Sequence, residues 1–180
     1  MFKPMFASLL AFSLTMPGCP KYDALRPQPA PTARIGQPAP EILGVDLEGL
    51  PMKLSDHRGK VVALSFWANW CGHCRDLFPH EKDLVEKLHD KPFVLLGANA
   101  DESREDAKAV HDKNRLTWRS FHIGDASGPV PTQWTVGGWP TIFLLDASGK
   151  IRHRFEGKQP ANVERAINNL LREMDENKKS

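Results

Sequence analysis

The sequence predicts an α/β fold around a mixed β-sheet, and three observations predict it. Residues 61–67 (VVALSFW), 93–98 (FVLLGA) and 141–146 (TIFLLD) are short, almost unbroken apolar runs, as in strands covered on both faces. Residues 72–90 and 103–114 lie between them and carry apolar side chains at helical spacing or a helix-start signal. The resulting order of strand, helix, strand, helix, strand, strand, helix reads as a βαβ crossover followed by a hairpin and a closing helix.

Taken in order, residues 41–46 and 51–54 flank the turn at Glu48-Gly49 and predict an N-terminal hairpin ahead of the first core strand. After that strand, Leu77, Phe78, Leu84, Val85 and Leu88 form one stripe of a helix expected over 72–90. The second strand is followed by Ser103 and Asp106, spaced as a capping pair for a helix reaching about Asn114. The stretch 116–138 shows no regular pattern. Beyond the third strand, Asp146-Ala147-Ser148-Gly149 turns the chain into an edge strand, where Ile151 and Phe155 alternate with Arg152 and Arg154. Pro160 opens the last helix, with Val163, Ile167, Leu170, Leu171 and Met174 on one side.

Of the 180 residues, 41% are hydrophobic and 26% charged, the balance of an ordinary globular chain able to bury a core. A net charge of +2, with no basic block beyond Lys178-Lys179, excludes a nucleic-acid partner. No apolar run is long enough for a membrane-spanning helix. The first eighteen residues differ from the rest. Lys3, the apolar stretch 6–16 (FASLLAFSLTM) and Pro17-Gly18 before Cys19 read as an export signal resembling those of bacterial lipoproteins, in which the cysteine is acylated. Residues 19–34 are proline-rich and read as a tether, residues 35–175 as the folded domain and 176–180 as a tail. The expected location is extracytoplasmic, in the periplasm or at the outer face of a membrane, with membrane contact through a lipid on Cys19.

Cys71-Gly72-His73-Cys74 falls where the first core strand gives way to the first long helix. Unsatisfied N–H groups at a helix start favour a thiolate, and a spacing of three brings the second sulfur to the same face. His73, if protonated, adds positive charge and tunes the poise of the pair. A redox-active pair and a purely structural disulfide both fit. Structural zinc does not, for want of a second cysteine pair, and covalent haem does not, because Arg75 rather than a histidine follows Cys74.

The stretch 66–74 (FWANWCGHC), with Gly138-Trp139-Pro140-Thr141 and Pro79, resembles the active-site region, cis-proline loop and kinking proline of the thioredoxin superfamily. Gly36-Gln37-Pro38-Ala39-Pro40, Leu54-Ser55-Asp56 and Gly59-Lys60-Val61-Val62 are similar to its TlpA/ResA branch of membrane-tethered bacterial thiol–disulfide oxidoreductases. The resemblance implies a thioredoxin-like fold over residues 34–175. It makes Cys71 the attacking sulfur and Cys74 the resolving one, with Gly72 and His73 tuning the pair and Trp70, Trp139 and a cis Pro140 lining the substrate groove. Protein thiols and disulfides would be the substrates, with a membrane or soluble electron-transfer partner and neither cofactor nor metal. It also implies a buried acid six residues before the first cysteine or three after the second. Those positions hold Ser65 and Leu77, and neighbouring Asp76 points elsewhere, so the sequence leaves the proton acceptor for Cys74 unassigned. Trp67 is expected in the core, His57 and His80 on the surface.

Two other functions compete. Cys71, Cys74 and a histidine could carry Cu(I) as an assembly factor, although related copper carriers space their cysteines more widely. A thiol peroxidase of the AhpC/TSA type shares the opening segment but places Thr and Pro where Trp67 and Ala68 stand.

Overall fold

The computed structural model describes residues 32–178. The export-signal segment, Cys19 and nearly all of the tether lie outside them. A five-stranded mixed sheet runs in the order β5-β4-β3-β6-β7, built from β3 (Val61–Trp67), β4 (Phe93–Asn99), β5 (Ser120–His122), β6 (Thr141–Leu145) and β7 (Ile151–Glu156). The central β3 pairs in parallel with β4, Val61 opposite Phe93 through Trp67 opposite Asn99, and antiparallel with β6. A separate hairpin of β1 (Leu43–Val45) and β2 (Pro51–Lys53) precedes it, followed by a 3₁₀ turn at Leu54–His57.

Alternation along β3 explains why the strand had to be apolar throughout. Val61, Ala63 and Trp67 face one cluster with Leu77, with Phe78 and Leu84 of α2 (Phe78–Lys87) and with Val163, Ile167 and Leu170 of α5 (Pro160–Asn177). Val62, Leu64 and Phe66 face another with Ile42, Met52 and Leu54 of the hairpin region and with Trp134. The sheet is therefore the middle of three layers. In the second cluster Trp134 meets Phe143 edge-on at 4.9 Å between centroids and Phe66 in a tilted contact at 5.7 Å, contacts that add about 0.5–1.5 kcal/mol per pair beyond their buried area.

Three expectations change. The helix expected over 72–90 is two helices, α1 (Gly72–Arg75) and α2, broken at Asp76-Leu77. Pro79 stands in the first turn of α2, where its missing N–H costs nothing, but it cannot bond back to Arg75. The stretch 116–138 contains β5 and α4 (Pro129–Gln133). Both are too short for periodicity, and β5 exists through its parallel pairing with β4. Packed structure also extends past both expected limits of the domain: Ala33 is buried and bonds to the Gln133 carbonyl at 2.9 Å, and α5 runs to Asn177. The helix at 103–114 is α3 (Arg104–Lys113), with Ser103 Oγ accepting the Asp106 N–H at 3.1 Å.

Candidate active site

β3 delivers the chain to the end of the sheet at Trp67, and four residues later Cys71 caps α1. The connecting loop is pinned from the neighbouring strand. Asp101, just past β4, accepts the Asn69 N–H on both carboxylate oxygens at 3.0 and 2.9 Å. It is held by the Asn99 side-chain amide at 2.7 Å, and the Arg75 guanidinium reaches back to the Asn69 carbonyl. Asp101 and Asn99 are buried and went unnoticed in the sequence, where nothing marks a polar pair at a strand end as a clamp.

Cys71 and Cys74 are joined in a disulfide with Cα atoms 5.3 Å apart. The Cys71 sulfur accepts the Cys74 N–H at 3.1 Å, taking the place of an oxygen cap on the first turn of α1. Cys71 is 6% exposed and Cys74 2%, so the second sulfur is the deeper. A Cβ at Gly72 would meet nothing within 4 Å, which leaves the flank of the pair open. His73 is largely exposed and faces Asp76 across 3.8 Å. Asp76 points outward to Lys158 at 2.9 Å, and that hydrogen bond and charge, with His73 adding to them, hold its carboxyl below the usual range.

Trp70 is 57% exposed and meets the half-buried Trp139 edge-on at 5.5 Å, so the loop before Pro140 adjoins the loop before Cys71. The Trp139-Pro140 peptide is cis, as the resemblance implies, and Pro140 is buried. Trp67 lies in the core against Phe78 at 5.4 Å. His57 and His80 both depart from the surface positions expected of them: each is half-buried, and the His80 Nε2 is buried without a hydrogen-bond partner.

A third residue missed in the sequence lies beneath the pair. Glu81 is fully buried on α2, and one carboxylate oxygen accepts the Ser65 hydroxyl at 2.7 Å. Burial pushes its carboxyl up from 4.5 to about 7, against the pull of the Ser65 bond. Its signal was present: position 81 falls inside the apolar stripe of Leu77, Phe78 and Leu84. Among the described residues no group of three or more His, Cys, Asp or Glu side chains is placed to hold a metal ion.

Residues 35–154 match the AhpC/TSA family. The chain is 32% identical to the thiol-disulfide oxidoreductase ResA of a Bacillus cereus strain over 127 residues, 70% of this chain and 72% of ResA. Among solved structures it is similar to a Chlorobium tepidum protein designated thiol:disulfide interchange protein DsbE. That likeness has a TM-score of 0.69 and 31% identity, covering 79% of this chain and 99% of the other. It is also similar to a secreted thiol-disulfide isomerase of Corynebacterium glutamicum, with a TM-score of 0.66 and 25% identity, covering 73% and 84%.

Proposed function

The chain belongs to the AhpC/TSA family and is a thiol–disulfide oxidoreductase; from that premise we propose that Cys71 is its attacking sulfur, that Cys74 is its resolving sulfur, and that they exchange with cysteines of extracytoplasmic proteins. The observation that carries the division of roles is the Cys74 N–H aimed at the Cys71 sulfur. A donor so placed favours the ionised form, which is the nucleophile, and Cys71 is also the less buried of the two.

In the reducing direction the Cys71 thiolate attacks a substrate disulfide and one substrate sulfur leaves. Cys74 then attacks Cys71, releasing the second substrate thiol and closing the Cys71–Cys74 bond. The oxidising direction runs the same steps backwards. Trp70, Trp139 and Pro140 form the bank along which an extended substrate lies. Gly72 leaves access to the sulfur, and a protonated His73 would favour the thiolate. The secreted Corynebacterium relative and the segment Lys3 to Cys19 support placement outside the cytoplasm, with Cys19 as a lipid anchor. Electrons would pass onward to a membrane or soluble partner.

Substitution tests the roles. Cys74→Ser, expressed in cells and isolated under acid quench, should accumulate mixed disulfides through Cys71, whereas Cys71→Ser should accumulate none. Trapping through Cys74 in the Cys71→Ser protein would reverse the assignment, and loss of trapping in both would remove it.

A further inference from the structure

Resting on the exchange reading above, we infer that Glu81, hydrogen-bonded to Ser65, is the buried group that exchanges the proton of Cys74 during resolution of the mixed disulfide.

The need for such a group follows from burial. Cys74 is 2% exposed and lies in an apolar cluster with Trp67, Leu77 and Phe78, so its thiol cannot hand a proton straight to bulk water. Geometry supplies one candidate from below. The Leu77 N–H bonds the Cys74 carbonyl at 3.0 Å and the Glu81 N–H bonds the Leu77 carbonyl at 2.9 Å, so Cys74, Leu77 and Glu81 stack turn upon turn. All three are buried, at 2, 3 and 4%. The other oxygen of the hydrogen bond belongs to Ser65, which lies between Ala63 and Trp67 on the face of β3 that packs against Cys74.

The core gains nothing from a carboxyl group at this position. A leucine would continue the stripe, while a buried acid carries a desolvation cost that one hydroxyl offsets only in part. What the carboxyl offers is an affinity for protons close to neutrality, where an acid–base group is most effective. The small cavity beside it is lined from β3 by Ala63, from β4 by Leu95, from β6 by Ile142, from α5 by Pro160 and Val163, and by Gln159 just ahead of α5, none of them ionisable. His80, on the same helix, is the other titratable side chain lining that cavity.

The step balances as follows. The Cys74 S–H proton passes to the Glu81 carboxylate, the Cys74 sulfur forms a bond to Cys71, and the bond between Cys71 and the substrate sulfur breaks. The substrate leaves as a thiolate that takes a proton from solvent. The dithiol has lost two electrons and the substrate disulfide has gained them. Glu81 gives its proton up before the next cycle.

Glu81→Gln keeps the volume and the contact with Ser65 but cannot take the proton. In single turnover of the reduced protein against a small aromatic disulfide, release of the second thiol should slow by at least ~10-fold at pH 7. The inflection near pH 7 in the release rate should vanish, while alkylation of Cys71 by iodoacetamide stays within about twofold of wild type, because the cap on that sulfur is untouched. Ser65→Ala, which removes the bond that steadies the charged carboxylate, should move the inflection to higher pH. Glu81→Asp should recover part of the rate. A Glu81→Gln protein that resolves at the wild-type rate with its inflection intact overturns the inference. So does an inflection that does not move in Ser65→Ala. Neither result touches the exchange reading, which fails instead if Cys71→Ser still turns over the disulfide.

Discussion

A carboxyl group sealed among apolar side chains also changes how the fold responds to pH. Glu81 is half-protonated at about 7 when folded and at 4.5 when exposed. Between those values the folded protein keeps a proton that the unfolded chain has released. Its contribution is thus most favourable below pH 4.5 and declines as pH rises to about 7, by roughly 3 kcal/mol in all. Urea unfolding of wild type and Glu81→Gln at pH 4.5 and pH 8 reads this directly. The variant should gain on wild type between the two conditions. An equal offset at both would mean the carboxyl is no harder to ionise in the fold than out of it. Periodicity passed over this residue for a physical reason: a buried stripe is recognised by its apolar members, and a lone carboxylate inside it looks like a break in the stripe.

The elements legible in the sequence are those whose causes are local. β3, β4 and β6 announce themselves because both faces are covered, and α3 because Ser103 caps it. The elements missed depend on partners distant in sequence. β5 is three residues laid against Gly97, Ala98 and Asn99; the break between α1 and α2 is the local exception, set by the N–H absent at Pro79. Gly97 shows how far such dependence goes. The Trp67 indole N–H reaches the Ser120 hydroxyl at 3.4 Å across β4, and a Cβ on Gly97 would stand 2.0 Å from that hydroxyl oxygen and 2.8 Å from the indole nitrogen. Gly97→Ala should therefore cost about 1–3 kcal/mol in thermal or urea unfolding, since either β5 or Trp67 must give way. A variant of wild-type stability would mean that β5 shifts freely, and with it the idea that it is held in register by β4.

At the scale of the whole molecule, the sheet order gathers the site at one place. β3 is central, so the end of the strand that carries Cys71 is flanked by the Asp101 clamp after β4 and by Trp139-Pro140 before β6. The sequence could show that strands alternate with helices, and a parallel pair with its crossover then follows; it could not show which loops meet, because that depends on strand order. The same scale decides what could hold the protein to a membrane. Among the described residues no helix is long and apolar enough to cross one, and the exposed large apolar side chains are Leu43, Val45 and Leu50 on the hairpin, Ile35 ahead of it and Trp70 beside the site. Under the proposed location the segment ending at Cys19 is the proposed attachment, through one acyl-modified residue. Fractionation of cells expressing the full chain should recover wild type with membranes and Cys19→Ser in the soluble extracytoplasmic fraction, with Cys71 equally reactive in both. Cys19→Ser protein that still sediments with membranes would locate the attachment elsewhere, and wild type found soluble in the cytoplasm would remove the export reading altogether.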